Sequence, residues 1–170
     1  MTEHDRRLIL EDELFLLRDS GELPEVAYHS TLHYLTADQD GPKFVLTESE
    51  QKLLQKAAMV RCKQIVLRDL EPENRNLSIY RGPRRSIYNW QRYCNFCQRV
   101  GRRPDDAFKK SVAQALTRFI RQEMSDVQEG YRRSSVNCAT EELLAFAEQV
   151  GVTTSNSEFI GLFLCEQAHQ

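Results

Sequence analysis

Cys94 and Cys97 form a Cys-x-x-Cys pair, the spacing shared by redox dithiols and by one half of a zinc site. His29 and His33 stand four residues apart, so on a helix their rings would meet on one face, as in another zinc half-site. Eight arginines crowd into residues 74–104, with no lysine and no acid among them. Guanidinium groups gathered in this way suit the recognition of carboxylates or phosphates.

The two metal-like patterns also have plainer readings. A redox dithiol sits at a helix N-terminus beside a βαβ unit, whereas Cys94 falls in the middle of a helical pattern. A zinc site needs two further ligands, and Cys62, Cys138 and Cys165 are each solitary. On a helical wheel Cys94 and Cys97 share a seam with Ile87 and Trp90, where cysteine packs as a small hydrophobe. Between His29 and His33 the sequence reads Ser-Thr-Leu, without the glutamate of a His-Glu-x-x-His site. Glu25, four residues before His29, would salt-bridge it or complete a polar stripe. No metal or other cofactor is therefore expected, and a metal-binding or redox protein built on Cys94 and Cys97 stands as the alternative reading. Phosphate-binding glycine loops, dinucleotide fingerprints and nucleophile elbows are absent, so the balance leans away from an enzyme.

The arginine window is the larger signal. Its members are Arg75, Arg81, Arg84, Arg85, Arg92, Arg99, Arg102 and Arg103, interleaved with Tyr80, Tyr88, Trp90, Tyr93 and Phe96. Outside it stand 15 basic and 25 acidic residues, so a +8 island sits in a −10 body. Such asymmetry sets where an anionic partner is attracted. Arg85, Arg92 and Arg99 recur every seven residues, and a seven-residue step drifts only about 20° on a helix, so they form one face. Arg81 and Arg84 lie at its entry, and Arg102 and Arg103 continue it. The expectation is a non-enzymatic binding or regulatory protein that uses this surface, with Tyr80 and Tyr88 for stacking. The partner is an acidic protein surface or a nucleic acid. A sequence pI near 6.1 argues against a dedicated nucleic-acid binder. The competing reading pairs the arginines with the chain's own carboxylates.

The elements that must present these residues read as helices almost throughout. Helices are expected over 5–19, 24–36, 48–70, from Arg85 or Ser86 to Gly101, from Pro104 to about Glu129, from Asn137 or Thr140 to Val150, and from Ser155 or Ser157 onward. Thr47 and Glu50 make a capping box for the third. Its apolar positions, Leu53, Leu54, Ala57, Val60, Ile65, Val66 and Leu67, form a face wide enough for the core. Residues 43–46 are the one short strand candidate. Residues 142–164 imitate a helix-turn-helix, but the would-be recognition helix carries acids and no basic residue, so two packed helices explain it better. The prediction is an all-α, single-domain bundle of about six to seven helices without significant sheet. No apolar run suits a membrane span or a secretory signal, and five scattered cysteines suit a reducing compartment, so a cytoplasmic protein without membrane association is expected.

Overall fold

A computed structural model describes residues 2–21, 23–37, 44–71, 82–128 and 140–152. They form six helices: α1 Glu3–Arg18, α2 Pro24–Thr36, α3 Glu48–Arg68, α4 Pro83–Arg99, α5 Asp106–Gln128 and α6 Thr140–Val150. Among the described residues there is no strand, and the fold is all-α. Phe44, Val45 and Leu46, from the strand candidate, are irregular. The seventh helix expected after Ser155 lies outside the described residues. The chain divides into two compact units, Met1–Gln64 and Ile65–Gln170, with the division falling inside α3. No helix of the described residues is long and apolar enough to cross a membrane.

In the first unit, local capping decides where helices begin. Thr2 Oγ1 accepts the Asp5 N–H at 3.1 Å, and Asp5 Oδ2 accepts the Thr2 N–H at 2.9 Å. This capping box starts α1 at Glu3, ahead of the Asp5 start read from apolar spacing. The Thr47–Glu50 box forms as expected, with Glu50 Oε2 accepting the Thr47 N–H at 2.7 Å. Glu50 also receives the Arg6 guanidinium of α1, Nε to Oε1 at 2.9 Å, while Arg6 Nη2 reaches the Val45 carbonyl at 2.6 Å. The Arg6 hydrogen bonds hold the Glu50 carboxyl down at about 2. Thr31 on α2 donates to Glu13 on α1 at 2.9 Å. The core of this unit gathers Leu17, Tyr28, Leu35, Leu54, Ala57, Ala58 and Cys62.

The wide core face expected of α3 needs correction. Leu54, Ala57, Ile65 and Val66 are buried, but Leu53 and Val60 are exposed. They are seven residues apart and share one outward stripe, while Ala58, Met59 and Cys62 take the inward positions.

In the second unit, α4, α5 and α6 close around aromatic side chains. The Trp90 ring centroid lies 5.6 Å from Tyr93, 5.9 Å from Phe108 and 6.3 Å from Phe146. Val112, Leu116, Phe119, Ile120 and Leu143 are fully buried around them, each worth about 1.5–3 kcal/mol of burial. Helix α5 begins at Asp106 rather than Pro104, because Asp105 is its cap. The Asp105 Oδ1 accepts the N–H groups of Ala107 at 2.9 Å and Phe108 at 3.3 Å.

Candidate functional site

Helix α4 starts at Pro83, earlier than its expected start at Arg85 or Ser86. Gly82 has φ 74°, a conformation open to glycine, and turns the chain into the helix. Pro83 then fits the first turn, where its missing N–H goes unused. The Gly-Pro pair is the start signal of the helix.

Two polar residues fix how α4 is rotated. Ser86 Oγ donates to the Val66 carbonyl at 2.8 Å, and Asn89 Nδ2 donates to the Ile65 carbonyl at 3.5 Å. Those carbonyls belong to the last turn of α3, where the helix itself supplies no donor. Both side chains are buried, beside Ile87, Trp90, Tyr93, Phe96 and Cys97. With that side committed inward, Arg84, Tyr88, Gln91, Asn95, Gln98 and Arg99 stand on the exposed side, and Arg85 and Arg92 on its half-buried edges.

Tyr88 organises the middle of this face. Arg92 Nη1 donates to Tyr88 Oη at 3.0 Å, and the Arg85 and Arg92 guanidinium carbons lie 5.5 Å and 5.3 Å from the Tyr88 ring centre. Partial burial lowers the Arg92 pKa from its ordinary value. At the far end, Gly101 adopts φ 68° and closes α4 in a Schellman turn. The Arg102 N–H meets the Cys97 carbonyl at 2.8 Å and the Gly101 N–H meets the Gln98 carbonyl at 3.1 Å. Arg102 and Arg103 follow, both exposed.

Arg6, Arg7 and Arg118 each hold a carboxylate, of Glu50, Glu11 and Glu71. Arg84, Arg99, Arg102 and Arg103 are exposed and make no ion pair among the described residues. Arg81, with Arg75 and Tyr80, lies outside the described residues.

Beside this face runs a groove of about 360 Å³ between α4 and α6. Ile87, Ala145 and Phe146 give it apolar walls, and Arg84, Tyr88 and Glu142 give it polar edges. Gln149 borders it while accepting the Trp90 Nε1–H at 3.2 Å. The α6 wall escaped sequence reasoning, which took Phe146 and its neighbours only as packing residues. The groove residues recur at three and four on each helix, but no sequence signal says that those two helices adjoin. A second pocket, in the first unit, is lined by Leu32, Thr36, Phe44, Val45, Leu46 and Gln51 and offers no titratable group.

The metal-like patterns separate on the structure. Cys94 is half-buried and Cys97 buried, and both carry free thiols. Burial, helped by the neighbouring Cys97, pushes the Cys94 thiol up to about 11. His29 and His33 are exposed on α2, and the His29 ring meets Tyr28 edge-on at 5.3 Å. Among the described residues no group of three or more His, Cys, Asp or Glu side chains is placed to hold a metal ion.

A family model described as a repeat of unknown function (DUF7826) matches residues 5–152. The chain belongs to the DUF7826 family. The DUF7826 match begins inside α1 and ends just past α6, so it takes in the arginine face and the α4–α6 groove alike. No curated protein and no solved structure matches the chain.

Proposed function

We propose that this chain is a non-enzymatic binding module whose working surface is the arginine face of α4 with the adjoining α4–α6 groove, and that its partner is an acidic polypeptide. The observation that carries this reading is the outward placement of Arg84, Arg99, Arg102 and Arg103 without carboxylate partners among the described residues, next to a groove walled by Ile87, Ala145 and Phe146. Cations around an apolar cleft suit a ligand that carries both carboxylates and hydrophobic side chains.

One feature favours polypeptide over nucleic acid. The Tyr88 ring is engaged by Arg85 and Arg92, which competes with stacking on a base.

The test compares a fluorescent peptide of glutamate and leucine with a single-stranded RNA of equal length, by anisotropy at low and moderate salt. The peptide is expected to bind, more weakly at higher salt. Charge reversal at Arg84 and Arg99 together is expected to weaken it about tenfold, a loss of ~1.4 kcal/mol over two rim charges. Absence of peptide binding, or RNA binding as tight as the peptide, overturns the reading.

A further inference from the structure

Exposed apolar side chains are distributed unevenly along the chain. Of the ten large hydrophobic residues exposed among the described residues, nine fall within Met1–Gln64, and Tyr88 is the exception. The densest stretch is on α1, where Phe15 is 67% exposed, Leu16 58% and Leu8 47%. Leu8 and Phe15 are seven residues apart and share a face. Asp12 lies between them and Asp19 follows at the next step of four, both exposed and neither in an ion pair among the described residues. The outward side of α1 is thus an apolar ridge edged with carboxylates.

That ridge is the chemical complement of the α4–α6 groove, which joins apolar walls to Arg84 and lies beside the arginine face. Asp12 and Asp19 are seven residues apart, about 10.5 Å along a helix, which fits within the span from Arg84 to Arg99. The family is described as a repeat, and repeating units as a class cover their apolar faces against like units. We propose that the α4–α6 groove receives the α1 ridge of a second copy of this unit, with Leu8 and Phe15 against Ile87 and Phe146, and Asp12 and Asp19 along the arginine edge that Arg84 begins and Arg99 ends. The contact is head-to-tail, because each copy offers a ridge to one neighbour and a groove to another. This inference rests on the acidic-polypeptide reading and names its occupant.

The experiment follows the mass of the full chain by sedimentation velocity across concentration and salt, with two variants. Phe15→Glu spoils the ridge, and Arg84→Glu/Arg99→Glu spoils the groove. All three positions are exposed, and circular dichroism with Trp90 emission verifies that each variant folds. The unaltered chain is expected to grow in mass with concentration, less so at high salt. Each variant alone is expected to associate at least about tenfold more weakly. An equimolar mixture of the two is expected to give a complex of two chains and nothing larger, since one intact ridge then meets one intact groove. An unaltered chain that stays monomeric throughout, variants that associate like it, or a mixture that fails to form the two-chain complex would overturn the proposal. A monomeric chain that still binds the glutamate–leucine peptide defeats the self-association alone, and loss of both defeats the underlying reading too.

Discussion

Ser86 and Asn89 set the orientation on which the candidate site depends. Each sends one donor to a carbonyl in the last turn of α3 and so turns the opposite side of α4, with its arginines, toward solvent. The Ser86 bond is the shorter and is fully buried. Ser86→Ala leaves the Val66 carbonyl without that donor, and the expected cost is about 1–3 kcal/mol in chemical denaturation. An unchanged midpoint would show that packing of Trp90 and Tyr93 alone fixes the helix. Cys94 is a residue whose type suggests chemistry and whose half-buried place raises the thiol pKa. A thiol held near 11 by burial is protonated at neutral pH, and its place on the α4 seam suits packing.

Helix ends carry much of the local specificity. Glu50 closes the α3 capping box and at the same time holds Arg6 of α1, so one carboxylate joins two elements. Its folded pKa, about 2, lies below the ordinary 4.5, so the folded state binds fewer protons than the unfolded chain in that interval. The stabilisation is therefore complete above about pH 4.5 and disappears as pH falls toward 2. Thermal midpoints of the natural chain and of Arg6→Ala are expected to differ at neutral pH, with the variant lower, and to converge as pH approaches 2. A gap that persists at acid pH would assign the contribution of Arg6 to its Val45 carbonyl bond and its place over the Phe44 ring, 4.4 Å from the centroid.

Over the whole molecule, charge and apolar exposure are segregated. The window of residues 74–104 is +8 within a chain of net −2, and among the described residues the exposed hydrophobic ones concentrate before residue 65. The two compact units divide inside α3, a continuous helix that contributes Leu54 to one core and Val66 to the other. Because one helix serves both cores, we propose that the chain unfolds as a single domain. Leu54→Ala removes a fully buried side chain from the first unit, at a cost of about 2–5 kcal/mol. Trp90, the chain's one tryptophan, reports on the second unit. Its emission midpoint is expected to fall together with the helical dichroism signal. A Trp90 transition left in place by Leu54→Ala would instead make the units separate folding domains.

The sequence by itself determined the helical class and the approximate limits of α2, α3 and α6, because apolar period, capping residues and glycine stops act within a few turns of the chain. It also determined that Arg85, Arg92 and Arg99 lie along one side of a helix, since that follows from the seven-residue step alone. It misjudged the starts of α1, α4 and α5, where Thr2, Gly82 and Asp105 govern the entry and the apolar pattern does not. Only the tertiary structure decided that the arginine side faces outward, that α6 supplies the second wall of the groove, and that Leu53 and Val60 are exposed. Those outcomes depend on which helices adjoin and on two side-chain bonds between residues more than 19 positions apart. Periodicity along one helix carries no information about its neighbours.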